Sequence, residues 1–280
     1  MRTATTKVPV TVGILTYNSS IATVEATIKS ALDFDEILLC DANSTDGTRE
    51  LAESFGCRII NQSPEFLDTH GRLINEAGVN DQLLAAAAHE WILFLDHDEL
   101  ATPELVAEIR ESVATPKTHG AFQIPRLYVL NGTTITCAAM YPRYQTRLMH
   151  RDAVVGFQRL VHSPIVLKDG QTIGTLHEVM LIPLPTLREQ WRKWRGYLRL
   201  EEVNTSSLTK LEWRQQILRP QWKTSKWIAY RIIKVRRTGE RPRLPLSHEI
   251  SRVLYELLMI VYTGRRFVGL GNAEVRRVWR

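Results

Sequence analysis

The first hundred residues alternate short β-branched apolar runs with segments of helical spacing, and each run ends in a polar loop. Residues 8–15 lead into the turn 16–20, after which Ile21, Val24, Ile28 and Leu32 recur at spacings of three and four. A second run, 36–40, ends in DANSTDGT (41–48); a helix then reaches Phe55, where Gly56 suits a left-handed cap. Residues 57–60 form a third strand, an Ala-rich helix occupies much of 71–90, and 91–95 runs as a fourth strand into Asp96-His97-Asp98-Glu99. Thr102 before Pro103 reads as the N-cap of another helix. This rhythm predicts an α/β fold with a mostly parallel sheet flanked by helices. Such sheets bind ligands outside the carboxyl ends of their strands. The loops 16–20, 41–48 and 96–99 all fall at that edge.

After residue 120 the pattern changes. Asn131-Gly132 between 127–130 and 133–136 reads as a hairpin, 147–149 and 175–176 are strand candidates, and Asp169-Gly170 marks a turn. From Thr186 the chain turns helical: Thr186 with Glu189 fits a capping box, and Leu187, Trp191, Trp194 and Leu198 form an apolar stripe. Charge divides at the same place. The net +6 averages 14 basic and 22 acidic side chains in 1–180 with 22 basic and 8 acidic in 181–280. Six of the seven tryptophans lie in the second part. Two domains are therefore expected, 1–180 and a basic, Trp-rich helical extension over 181–280.

A composition of 44% hydrophobic and 24% charged residues excludes a disordered, collagen-like or disulfide-rich class. Cys40, Cys57 and Cys137 are odd in number and at no metal-ligand spacing, and Cys40 and Cys57, in apolar runs, read as reduced, buried thiols. The first residues lack the apolar core of a signal peptide, and the longest apolar run, 253–262, contains Glu256 and is too short to span. A reducing, cytoplasmic setting is expected. The tail has neither RNA-binding sheet motifs nor zinc spacing, so nucleic acid is not expected. Tryptophan beside Arg and Lys in 187–200 and 220–237 suits an anionic bilayer surface, and 253–261, followed by Arg265 and Arg266, is amphipathic. For Trp191 and Trp194, packing on the first domain is the alternative.

Asp96-x-Asp98 at a strand end offers hard oxygen ligands to Mg²⁺ or Mn²⁺, whose shell a nucleotide's phosphates can complete. An acidic turn capping the next helix is the other reading. Asp41 can accept hydrogen bonds from a base or ribose. Ser44, Thr45, Asp46 and Thr48 offer small hydroxyls and backbone donors beside a helix N-terminus, or only a cap. Thr16 and Asn18 carry the same ambiguity.

The strings LTYNSS, ILLCDANSTDGTRELAESFG and WILFLDHDEL resemble the nucleotide-binding half of family 2 glycosyltransferases with a GT-A fold, over about residues 8–115. The resemblance continues through GAFQIPR, YPRYQTRLMHRDAVVGF and LVHS, and is there similar to small bacterial enzymes that extend the lipopolysaccharide inner core. It implies a nucleotide-binding half (8–115) and an acceptor half (116–180). It implies that Asp41 binds base or ribose, Asp96 ribose or metal, and Asp98 metal, with Thr16 and Asn18 lining the nucleotide pocket. Arg72 and Asn75 would lie near the donor sugar. His177 would be a late metal ligand, or else a structural residue. Arg143 and Arg147 would contact acceptor or diphosphate, or form a solvated strand face. An inverting transfer needs a carboxylate base. Relatives read Val-His-Glu where this chain has Val161-His162-Ser163, which leaves Glu99, Asp152 and Glu178 as alternatives. The expected function is an inverting, metal-dependent glycosyltransferase that moves a sugar from a nucleotide-diphosphate donor, a UDP-sugar, to a glycan or lipid-linked acceptor. Its setting would be cell-envelope polysaccharide synthesis at the inner face of the plasma membrane. The rivals are a nucleotidyltransferase acting on a sugar phosphate, which should show a Gly-rich basic loop where this chain has LTYNSS, and a non-catalytic membrane scaffold.

Overall fold

A computed structural model describes residues 6–69, 71, 73–115, 119–158 and 164–269. The strands are β1 (Val8–Thr16), β2 (Phe34–Asp41), β3 (Arg58–Asn61), β4 (Trp91–Asp96), β5 (Leu100–Ala101), β6 (Ala121–Leu130), β7 (Thr133–Thr134), β8 (Tyr144–His150), β9 (Val154–Phe157), β10 (Ile165–Leu167), β11 (Ile173–Thr175) and β12 (Met180–Pro183). The helices are α1 (Ile21–Ser30), α2 (Thr48–Ser54), α3 (Glu76–Ala86), α4 (Pro103–Ala114), α5 (Leu187–Asn204), α6 (Lys210–Trp213), α7 (Arg219–Arg237) and α8 (Leu246–Gly264). The chain forms two compact units, 1–132 with 142–183, and 133–141 with 184–280. The short segment 133–141 thus groups with the C-terminal helices, where sequence spacing places it in the first domain.

The first unit is built on a sheet of order β3-β2-β1-β4-β8-β6-β12-β5, with β11 also on β6. β1 pairs in parallel with β2 and β4, and β2 with β3. β8 runs antiparallel to both β4 and β6, so β6 and its parallel neighbours β11 and β12 point the same way as β4. The expected mixed α/β architecture is therefore present.

Alternation within the strands sorts the core onto two faces. Val8, Val10, Val12 and Ile14 of β1, with Leu93 and Leu95 of β4, pack against Val24 and Ile28 of α1, Ala52 of α2 and Leu105 and Ile109 of α4. Leu38, Cys40, Ile92 and Phe94 point the other way, onto Val79, Leu83 and Leu84 of α3. Both faces are covered, which is why the central strands read as nearly continuous apolar runs. At Gly13 a Cβ would lie 2.6 Å from Leu83 Cδ2, so the glycine lets α3 approach the central strand.

Local signals fix the helix ends. The Thr102 hydroxyl accepts from the Leu105 N–H with Pro103 in the first turn, and Thr186 and Glu189 form a reciprocal capping box. Gly56 takes a φ of 74°, as a left-handed cap requires. All three cysteines are free and buried, and burial pushes the Cys57 thiol up to about 11.

In the second unit Trp194, Leu198, Tyr255 and Met259 form a core, joined by half-buried Trp191. Trp191 and Trp194 meet edge-on at 5.2 Å between centroids, and Trp194 lies 4.8 Å from Tyr255. These two tryptophans therefore hold α5 to α8 inside the helical unit.

Candidate active site

The C-terminal edge of the parallel strands carries two polar centres. The first is the pair of loops after β1 and β2. Asp41, wholly buried at the end of β2, accepts from the Thr16 hydroxyl at 2.8 Å and the Ser44 hydroxyl at 2.5 Å on one oxygen. Its other oxygen takes the Ser44 N–H at 2.7 Å and Arg49 Nη1 at 3.1 Å. A carboxylate has about four acceptor sites, and these four donors occupy them.

Asn18 joins the loops from the other side. Its N–H donates to the Ser44 hydroxyl at 2.8 Å, and its side-chain oxygen accepts from the Thr45 N–H at 2.9 Å. Asn18 and Asn43 have φ of 42° and 60°, a region that only short polar side chains or glycine enter readily. Asp46 accepts from the Thr48 N–H at 3.2 Å and, at 2.6 Å, from its hydroxyl, within the turn that leads through Gly47 into α2.

The second centre is the Asp96–Glu99 turn. The Thr27 hydroxyl of α1 donates to the His97 carbonyl at 2.8 Å, and Glu99 Oε2 accepts the Asp96 N–H at 3.0 Å, which fixes the turn from both sides. Glu99 is 1% exposed and sits between two guanidiniums: Arg126 Nη1 at 2.8 Å and Arg147 Nη2 at 2.9 Å. Arg147 Nη2 also reaches Asp96 Oδ2 at 2.7 Å. The β6–β8 register slips between Phe122 and Gln123, which pair with Leu148 and Thr146 and leave Arg147 as the extra residue of a bulge. Bulges re-aim side chains, and this one belongs to the strand that supplies the bridging arginine. Burial opposes the charge on Arg147, but the Asp96 and Glu99 carboxylates outweigh it and raise its pKa.

Glu99, one of the three carboxylates expected as base, is buried and paired with both guanidiniums. Arg147, expected on the acceptor or diphosphate, directs one guanidinium nitrogen, Nη2, at Asp96 and Glu99. Arg143 donates to the Tyr128 hydroxyl at 3.0 Å. Asn75 caps α3, its side-chain oxygen accepting from the Gly78 N–H at 3.0 Å. Arg72 and Val161-His162-Ser163 lie outside the described residues.

Asp152, the second carboxylate expected as base, lies elsewhere on the sheet. It follows β8, whose His150 pairs with Trp91 at the start of β4, so it lies at the edge opposite Asp96. There Glu90, His150 and Asp152 place ligand atoms within 4.8 Å of one another, the one such group among the described residues. The Asp152 N–H donates to His150 Nδ1 at 3.1 Å, so Nε2 carries the ring proton, 3.2 Å from Glu90 Oε2. A ring in this tautomer has no lone pair left for a cation.

The expected metal trio does not assemble in the same sense, because the ligand atoms of Asp96, Asp98 and His177 are not all within 4.8 Å of one another. His177 follows β11 at the same edge as Asp96, is exposed, and its Nδ1 lies 3.1 Å from Glu108 Oε1. The N–H groups of His177 and Glu178 both donate to that Glu108 carboxylate, at 2.9 and 2.8 Å. Asp96 and Asp98 alone, half-buried on one turn, present the oxygen donors a hard cation takes.

Arg49, Arg126 and Thr27 had no expected role. Arg126 continues the alternate buried positions Phe122 and Ile124 of β6, and an arginine at such an inward position is the signal that it faces a carboxylate.

A mostly parallel sheet with these two polar loops and an Asp-x-Asp turn at its C-terminal edge is the architecture of GT-A glycosyltransferases. Residues 11–154, just over half the chain, match the model of glycosyl transferase family 2, and the chain belongs to that family. Among solved structures it is similar to the mannosyltransferase PcManGT of Pyrobaculum calidifontis, in complex with GDP-Man and Mn²⁺, at 13% identity and a TM-score of 0.51. That match covers 93% of this chain and 87% of the other. A second similarity is to glucosyl-3-phosphoglycerate synthase of Mycobacterium tuberculosis, in complex with Mn²⁺, UDP and glucosyl-3-phosphoglycerate, at 22% identity and a TM-score of 0.33. It covers 43% of this chain and 44% of that one, so the chain spans less than half the length of that relative.

Proposed function

We propose that this chain is a metal-dependent, inverting glycosyltransferase that moves a sugar from a nucleotide-diphosphate donor, a UDP-sugar, to a hydroxyl of a glycan or lipid-linked acceptor. The observation that carries the reading is the pairing, on one strand edge, of the Asp41-centred loop with the Asp96–Asp98 turn. Thr16, Asn18, Ser44 and Asp41 form a preorganised wall for base and ribose, in which Asp41 acts largely by shaping the loop. Asp96 and Asp98 are the residues that would hold Mn²⁺ or Mg²⁺, and the ion would supply positive charge to the leaving diphosphate. Arg147 holds Asp96 in place and ties it to the buried Glu99 carboxyl beside it. Of the three carboxylates considered as base, Glu178 is the one that is both exposed and on this edge, and we assign it that role. Cell-envelope polysaccharide synthesis on an anionic membrane surface, at the cytoplasmic face of the plasma membrane, is part of the same reading.

Donor hydrolysis across a panel of UDP- and GDP-sugars, with and without Mn²⁺, tests it. Metal-dependent release of one nucleoside diphosphate is expected. A chain that binds and turns over none of them is not a transferase. A chain that instead forms a sugar nucleotide from a nucleoside triphosphate and a sugar phosphate is a nucleotidyltransferase.

A further inference from the structure

Helix α8 is inside out. Its buried face carries Glu249, Ser251, Glu256 and Thr263 beside Tyr255 and Met259, while Leu246, Ile250, Leu254 and Val261 stand 45–50% exposed. The exposed four recur at spacings of four, four and seven, one stripe along the helix, and half-buried Leu257 continues it. Polar contacts hold this rotation. Glu249 Oε1 accepts the Ala139 N–H at 2.8 Å and Trp213 Nε1 donates to the Thr263 hydroxyl at 2.9 Å, while within the helix Arg252 pairs with Glu256 at 2.6 Å. Turning α8 to bury the stripe would strip Glu249 and Thr263 of these partners. An apolar stripe held outward in this way marks a contact surface.

Helix α7, in the same unit, identifies the partner's chemistry. Its 19 residues hold seven cations and no carboxylate. Its exposed side shows Trp222, Trp227, Tyr230 and Ile233 among those cations, with Lys226 over the Trp222 ring and Arg231 over the Trp227 ring. Amphipathic aromatic rings beside Lys and Arg match the headgroup layer of an anionic bilayer. No helix among the described residues is long and apolar enough to cross a membrane. A helix of this kind lies in the interface plane.

We propose that the C-terminal helical unit docks on an anionic lipid surface, with the Leu246-Ile250-Leu254-Val261 stripe of α8 entering the acyl boundary and the cations of α7 meeting the headgroups. This deepens the membrane-surface part of the proposed function and rests on it. The test is flotation of the full chain with phosphatidylcholine vesicles, with and without phosphatidylglycerol. Flotation is expected only with the anionic vesicles and should fall as salt rises. The Ile250→Ser/Leu254→Ser variant should lose at least ten-fold in partitioning, and Lys223→Glu/Lys226→Glu should lose most of the salt-dependent part. Both pairs are outside the buried core, and unchanged circular dichroism and urea midpoints confirm that the variants are folded. A wild-type chain that stays with the protein fraction overturns the membrane reading itself. A wild-type chain that floats with the Ile250→Ser/Leu254→Ser variant floating equally keeps that reading and overturns the α8 surface. A dimer in light scattering that the same variant splits, without flotation, assigns the stripe to a second copy of the chain.

Discussion

Arg147 bridges Asp96 and Glu99 through a single nitrogen, 2.7 Å from the first carboxylate and 2.9 Å from the second. Asp96 is half-exposed, whereas Glu99 is buried, so the bridge ties a solvent-facing acid to an interior one. Replacing Arg147 by Met leaves the Glu99 charge with Arg126 alone in a water-poor surrounding. Breaking a buried pair from one side costs about 3–5 kcal/mol. Urea unfolding should show that loss for Arg147→Met. Arg147→Lys, which keeps the charge but not the guanidinium fork, should recover only part of it. A loss of under about 1 kcal/mol for Arg147→Met would mean that water reaches Glu99 when the bridge is absent.

Asp41 makes four contacts on two oxygens, and an amide cannot reproduce them. Asp41→Asn turns one acceptor into a donor that faces the Ser44 N–H and Arg49, or else the two hydroxyls. Leaving buried donors unsatisfied costs about 1–3 kcal/mol. Stability and nucleotide affinity should therefore fall together in Asp41→Asn. Thr16→Val, which removes a single donor, should cost about 0.5–1.5 kcal/mol. Paired urea melts and UDP titrations check this. An Asp41→Asn variant of wild-type stability that no longer binds nucleotide would reassign Asp41 to direct contact with the ligand.

The layering of the first unit was legible because burial on both faces writes itself into sequence. Residues 8–15 and 91–95 are apolar nearly throughout, and the polar residues cluster where those strands end. Caps were equally readable, since Thr102-Pro103 and Thr186 with Glu189 are local. What sequence did not reveal is which polar side chains are spent on one another. Glu99 and Arg147 are 48 residues apart and Glu99 and Arg126 are 27 apart, and their meeting depends on strand order and on a bulge that leaves no local trace. Asp152 lies only five residues from Arg147, yet β8 carries it to the opposite edge of the sheet. The tryptophans of the tail look alike in sequence, but Trp191, Trp194 and Trp213 enter the packed interior while Trp222 and Trp227 stay outside. Helical spacing alone does not choose between those faces when both carry aromatic and basic residues.

Glu108 ties α4 to the turn that carries His177 and Glu178. Burial pushes its carboxyl up, but the N–H groups of Glu178 and His177 and the His177 ring outweigh this and hold it below the ordinary value of 4.5. A lowered folded-state pKa means that the unfolded chain binds the proton more readily. The resulting stability is present above the unfolded value and is lost as pH falls through the folded one. Urea midpoints should therefore decline on acidification below about pH 4.5, with Glu108 contributing to that slope. In Glu108→Gln the decline should be shallower, and parallel urea melts of the two proteins across that pH range read the difference directly.

Two aspartates at opposite ends of the same sheet separate the competing cation sites. Asp98 sits on the Asp96 turn, at the edge where β1, β2 and β4 end. Asp152 follows β8 near the start of β4, beside a His150 whose tautomer leaves it no ligand lone pair. If Asp96 and Asp98 hold the metal, Asp98→Ala should abolish the strengthening of UDP binding by Mn²⁺ while leaving the fold intact, since Asp98 is half-buried on a turn. Asp152→Ala should leave Mn²⁺-dependent UDP binding unchanged. Calorimetry with UDP, titrated in Mn²⁺ and in chelator, distinguishes the two. Equal Mn²⁺ dependence in wild type and Asp98→Ala, together with its loss in Asp152→Ala, would move the cation to the Glu90–His150–Asp152 group and require the His150 ring to change tautomer on binding.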